Sequence, residues 1–171
     1  MAMKRVIILL LLLLSAWKLF TTPGSVTLGP GVHAGQPPSQ TSINSRSSFK
    51  HGDYTIIPVA GFRIRAKVLS REDYRFDREA GLSPVDLALG WGNMSDEEVL
   101  GQIEITQGGR WYRWRTDSPP IPLREIETHS ANMHLIPADE QGGSGIGKVR
   151  PGEIIELTGS LAGGRANDGW A

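Results

Sequence analysis

The sequence predicts an α+β, mostly β fold: a small bent sheet or partly open barrel with two short helices. Three observations carry that expectation. In residues 62–69, Phe62, Ile64, Ala66 and Val68 alternate with Arg63, Arg65, Lys67 and Leu69; a period of two marks a half-buried strand. Ile103–Thr106 and Arg110–Arg115 flank Gly108-Gly109, a pair suited to the positive φ of a hairpin turn. With 21 glycines and 11 prolines in 171 residues, the composition favours turns and short strands over long helices.

The chain opens on Lys4-Arg5 and an unbroken apolar run from Val6 to Leu14, extended to Trp17, Leu19 and Phe20. A basic start followed by such a run is a membrane-targeting pattern. As a helix, Val6–Phe20 would span about 22 Å at 1.5 Å per residue, short of the ~30 Å hydrocarbon core. Lys18 can snorkel and Trp17 can sit among headgroups, so residues 1–20 are expected to be an uncleaved anchor. The alternatives are a cleaved signal, for which Val32-His33-Ala34 has suitable small residues, or a buried core helix. Residues 21–50 contain few large apolar groups and cannot offset their ordering entropy; a disordered linker is expected there. Residues 51–171 form the β-rich domain.

Within that domain, Ser83-Pro84 reads as N-cap and first helical position, with Val85–Leu89 following to a Gly90 stop. Ser95 before Asp96, Glu97 and Glu98 reads as a second cap, ending near Gly101, and Trp91 between them plugs the core. After the hairpin, Ser118-Pro119-Pro120 ends the strand. Leu123–Thr128 suits a helical turn and Met133–Ile136 a strand. Gly142–Gly147 reads as a flexible connector. Arg150–Glu153 is a turn and Ile154–Leu161 a strand, bent or bulged at Gly159. The glycine-rich end from Gly163 reads as a poor, frayed strand. The order of strand, glycine and strand from Val149 onward suits a small oligonucleotide/oligosaccharide-binding type of barrel, an analogy that leaves function open.

Charge and composition narrow the functional classes. The first 50 residues carry five basic side chains and no acid, leaving 13 basic and 18 acidic residues, a net −5, in the domain. Such a balance lacks general attraction for phosphate backbones, so nucleic acid is an unlikely partner. There is no cysteine, which removes disulfides, thiolate metal sites and a thiol nucleophile. No P-loop or dinucleotide-binding glycine spacing occurs, and no cofactor is expected.

Three segments, Asp86–Ser95, Arg110–Trp114 and Ser130–Pro137, together resemble one uncharacterised family of small bacterial proteins with short hydrophobic N-termini. The resemblance covers roughly residues 54–161 and implies an envelope-facing domain. It implies no activity. The chain departs from the family pattern at 142–147, where a more helix-like segment is expected, and after Trp170, where a further aromatic and basic strand is expected.

The hexamer Arg110-Trp111-Tyr112-Arg113-Trp114-Arg115 is the main candidate binding element. As a strand it places Arg110, Tyr112 and Trp114 on one face and Trp111, Arg113 and Arg115 on the other. Rings beside guanidinium groups suit stacking on bases, sugars or headgroups, with anion pairing alongside. The alternative is a core-packed face, with outer arginines paired to acids such as Glu104. His129 and His134, near Glu125 and Glu127, are candidate metal ligands, although five-residue spacing fits neither one helical face nor one strand face. Asp73, Asp77, Glu79 and Asp86 are candidate paired carboxylates, or else a solvated face. Ser83 and Ser95 read as caps rather than nucleophiles.

The sequence therefore leads to a membrane-tethered or exported binding or assembly module, leaning away from an enzyme. It is expected at the inner membrane with its domain in the periplasm, or free there after cleavage. Its expected partners are the membrane, through the N-terminal segment, and an envelope protein or glycan. The competing functions are a metal-dependent hydrolase using His129 and His134, and a nucleic-acid-binding small barrel.

Overall fold

The computed structural model describes residues 24–43 and 47–170. In chain order the elements are β1 (Ser39–Thr41), β2 (Phe49–His51), β3 (Tyr54–Asp73), β4 (Val85–Gly90), α1 (Glu97–Leu100), β5 (Glu104–Gly108), β6 (Trp111–Arg115), α2 (Leu123–Thr128), β7 (Ser130–Leu135), α3 (Glu140–Lys148) and β8 (Ile154–Ala166), with a 3-10 turn over Gly92–Ser95. The fold is mostly β, and its main sheet is strongly curled into a half-barrel. Three helices accompany it among the described residues rather than two.

β3 is the spine of that sheet. β8 runs antiparallel along one of its edges from Tyr54 to Lys67, while β2, β1 and β4 take successive stretches of the other. Relative to its partners β3 carries an extra residue at Val59 and another at Leu69; such bulges bend a strand and sharpen its twist. The curl brings the start of β3 back to the loop beyond its end, where the Tyr54 hydroxyl donates to the Arg78 carbonyl at 2.8 Å.

β4 lies between β3 and β7, and its two faces are chemically distinct. Val85, Leu87 and Leu89 oppose Leu135, Met133 and Ala131 and join Ile64, Ala66, Val68 and Trp91 in the main core. On the reverse face Asp86, Ala88 and Gly90 oppose His134, Asn132 and Ser130. The β5–β6 hairpin, α1 and α2 cover this side, around a smaller core of Met94, Ile103 and Ile126 with Leu69 and Trp114.

Several expectations change. Ser83–Leu89, expected as a capped helix, leads into a central strand: its period-two alternation and its two ladder partners outweigh the Ser-Pro signal. Gly142–Gly147, expected as a flexible connector, lies in α3. Asp139 caps that helix through Gly142 N–H at 2.7 Å. Ile146 packs on the core, and Arg71 donates to the Ile146 and Val149 carbonyls at the helix end, supplying partners that terminal carbonyls otherwise lack. Gly159 is regular, opposite Phe62, because the extra residue is Val59 on the facing strand. Residues 163–166, expected to fray, pair with Tyr54–Ile57. Asp96 rather than Ser95 caps α1, accepting from Glu98 N–H.

Ser95 has another task, which also revises the linker. Residues 24–41 run as a strap along the domain. The buried Ser95 hydroxyl accepts the His33 and Ala34 N–H groups at 3.1 and 2.9 Å and donates to the Gly92 carbonyl. Asp96 and Glu97 accept from Gly31 and Leu28 N–H, and Val26 N–H donates to the Pro151 carbonyl. Backbone hydrogen bonding and the burial of Ala34 hold a segment whose side chains supply little apolar area. The apolar run of residues 6–20 lies outside the described residues, and no helix among the described residues is long and apolar enough to cross a membrane.

Candidate functional site

The hairpin turn consists of Gly109 (φ 59°) and Arg110 (φ 69°), the backbone of a two-residue turn matched to strand twist. The turn thus sits one residue beyond the Gly-Gly pair. Arg110 is the one non-glycine residue at positive φ among the described residues, a region that L side chains rarely adopt.

Its side chain explains the exception. The guanidinium makes a two-pronged contact with Asp77, at 2.8 and 2.7 Å. It also reaches the Ser83 carbonyl at 2.7 Å and Asp86 Oδ1 at 3.1 Å, while stacking on the Tyr74 ring. Asp86 is completely buried. His134 Nδ1 lies 2.9 Å from its other oxygen, which accepts no hydrogen bond among the described residues. Charge in so dry a position requires partners. Burial alone would lower the Arg110 pKa, but the Asp77 hydrogen bond and the charges of Asp86 and Asp77 raise it overall. In return Arg110 holds the Asp77 carboxyl below its ordinary value.

Further polar contacts seat the hairpin on the reverse face of the sheet. Gln107 donates to Asn132 Oδ1 at 2.7 Å, Asn132 donates to the Arg110 carbonyl, and the Tyr112 and Ser130 hydroxyls lie 2.8 Å apart. The inner face of β6 carries Tyr112 and Trp114, both half-buried, and the outer face carries Trp111, Arg113 and Arg115, as the alternation implied. Trp111 is 67% exposed; the residue opposite is Gly108, which covers none of its ring. Arg113 lies opposite Thr106 and has no ion-pair partner among the described residues. Arg115 lies opposite Glu104 and is within 3.7 Å of Asp117. Phe76, immediately before Asp77 in the clamping loop, is 99% exposed. Two large apolar groups therefore flank the Arg110–Asp77 pair: Phe76 precedes its acid and Trp111 follows its base.

The other candidates separate. His129 immediately precedes β7, whereas His134 lies within it opposite Asp86, and no contact among the described residues joins the two rings in one site. His129 caps the end of α2, with Nδ1 3.1 Å from the Glu125 carbonyl oxygen and its ring against Trp91. No cluster of three or more histidine and acidic side chains suited to a metal ion occurs among the described residues. Of the carboxylates, Asp77 and Asp86 converge on Arg110, and Asp73 pairs with Arg71 at 2.7 Å. Their geometry is that of ion pairs around cations. The burial of Asp86 and the roles of Tyr74 and Gln107 escaped sequence reasoning. The usable signal was the matched alternation of Val85–Leu89 and Ala131–Leu135, which puts Asp86 and His134 in one cross-strand pair.

Comparison with protein-family models, with curated proteins and with solved structures returned no match.

Proposed function

We propose that the protein is a non-enzymatic binding or assembly module whose contact surface is the outer face of the β5–β6 hairpin with the adjoining Phe76 loop. The observation that carries this reading is the exposure of Trp111 and Phe76 on either side of a clamp that fixes the backbone of both. Clustered exposed apolar groups mark contact sites, and tryptophan and arginine are enriched among the residues that carry binding energy. Arg113, which has no ion-pair partner among the described residues, adds a preference for an acidic or hydrogen-bond-accepting partner.

The basic-apolar N-terminus and the resemblance to small bacterial proteins with short hydrophobic N-termini support a place at the inner membrane, with the domain in the periplasm. The partner class is an envelope protein or a glycan. The test is crosslinking and pull-down from membranes with the full chain, comparing wild type with Trp111→Ala/Arg113→Ala and Phe76→Ser variants. Loss of one defined partner in both variants, with the fold intact by circular dichroism, supports the reading. An unchanged set of partners in both would refute it. A C-terminal alkaline phosphatase fusion tests placement: activity requires export, and an intact but inactive cytosolic fusion would overturn the envelope assignment.

A further inference from the structure

We propose that β8 pairs, edge to edge and antiparallel, with β8 of a second copy of this chain, about a two-fold axis through Gly159. One edge of β8 is bonded to β3; among the described residues no strand pairs with the other. The strand is 13 residues long, and it contains no proline and only two charges, Glu156 and Arg165. Both irregularities of this ribbon and its neighbour fall on β3, so β8 itself is regular. Natural sheets protect such edges with proline, lysine, bulges or a covering element. Among the described residues this edge carries no proline, lysine, bulge or pairing strand, and such an edge is a template for an added strand.

The sequence of the edge identifies the strand that fits. It is symmetric for two residues on either side of Gly159, where Thr158 matches Ser160 and Leu157 matches Leu161; farther out Ile155 and Ile154 stand opposite Gly163 and Gly164, and Glu153 answers Arg165 with the opposite charge. In an antiparallel pair centred on Gly159, residues equidistant from it stand opposite each other on the same sheet face. Thr158 then meets Ser160 of the other copy, a favourable hydroxyl pair, and Leu157 meets Leu161. Glu153 meets Arg165, and the two-fold axis makes that contact twice. Glu156 faces Ala162, so no acid opposes an acid. Glu153 already extends the β8 ladder, its carbonyl accepting Val68 N–H at 2.9 Å. Its carboxylate is held by Arg150 at 2.7 Å and retains lone pairs for a second cation. Arg165 is exposed, with no ion pair among the described residues.

The chain has no cysteine, and a Cβ built on Gly159 meets nothing within 4 Å. The full chain in detergent carrying Gly159→Cys is oxidised at low micromolar concentration, beside a Phe76→Cys control that reports random collision. The expected result is rapid disulfide dimer formation by Gly159→Cys alone, and hetero-dimer formation when Thr158→Cys and Ser160→Cys chains are mixed. In sedimentation, Arg165→Glu is expected to weaken dimerisation at least tenfold, and Glu153→Arg/Arg165→Glu to restore it. Crosslinking of Gly159→Cys no faster than the control overturns the proposal, whether the chain is a monomer or dimerises elsewhere. So does dimerisation indifferent to both charge variants. Either result leaves the hairpin reading intact, because that reading is tested by partner capture at Trp111, Arg113 and Phe76.

Discussion

The Arg110 guanidinium lies 3.7 Å from the centre of the Tyr74 ring, and the Tyr74 hydroxyl accepts the Arg110 backbone N–H at 2.9 Å. One tyrosine thus meets both ends of a residue held at positive φ. Glycine or asparagine would occupy that turn position with less strain. Arginine is there because its side chain ties the turn to the loop after β3 and to a buried carboxylate in β4. Burial raises the Tyr74 pKa above its ordinary value.

Arg110→Gly separates backbone strain from the clamp. Removing one partner of a buried ion pair costs about 3–5 kcal/mol, whereas relief at positive φ returns roughly 1 kcal/mol. A net loss of stability is therefore expected in urea unfolding. Equal or greater stability in the variant would mean that the clamp is dispensable.

Acid sensitivity should concentrate at Lys67 and Glu97. Lys67 is 2% exposed, and its ammonium reaches Glu97 at 2.6 Å. The Lys67 hydrogen bond leads the causes that hold the Glu97 carboxyl below its ordinary range. A carboxyl depressed in the folded state contributes stability above its unfolded pKa, near 4.3, and loses it as pH falls through the folded value. Acidification strands a buried ammonium without its counter-charge. The urea midpoint should therefore fall as pH drops below about 4.3, and Glu97→Gln should flatten that fall while lowering stability at neutral pH. An unchanged acid slope in the variant would assign the sensitivity elsewhere.

What the sequence disclosed follows the strength of local signals. The alternation of Phe62–Val68 marked β3 because one face is core along most of its length. The faces of β6 were legible for the same reason. β4 was misread because Ser83-Pro84 and Gly90 imitate helix boundaries, while the evidence for a strand lay in its partners β3 and β7, distant in sequence. α3 was hidden by four glycines; its cap at Asp139 and its contact with Arg71 are specified from outside the segment or at its edge. The strap was hidden most deeply. Its own residues are unremarkable, and the groups that hold it, Ser95, Asp96 and Glu97, had a sufficient local explanation as a helix start. The clamp combined Arg110, Asp77, Asp86 and Ser83, each singled out separately, with Tyr74, which carried no signal of its own, and only the fold joined them.

The strap gives a sharp test at Gly152. This glycine has φ +86°, and a Cβ there would lie 1.7 Å from the Val26 carbonyl oxygen, so alanine can enter only if the strap moves. Gly152→Ala should expose residues 24–34 to protease and speed amide exchange at Val26 and Ala34. Ser95→Ala, which leaves three strap and turn groups without their hydroxyl partner, should cost about 1–3 kcal/mol. Wild-type protection of the strap in Gly152→Ala would show that the segment is not held as described.

The two tryptophans of β6 supply a contrast that separates binding from folding. Trp114 is half-buried and packs around Met94, Ile103 and Ile126. Its replacement by alanine should cost roughly 2 kcal/mol or more by opening that core. Trp111 projects from the opposite face, so Trp111→Ala should stay within about 0.5 kcal/mol of wild type. Paired urea titrations measure both. If the hairpin is a contact surface, the variant that folds normally is the one that loses its partner. A large destabilisation by Trp111→Ala would instead assign that ring a folding role and remove the main support for the binding face.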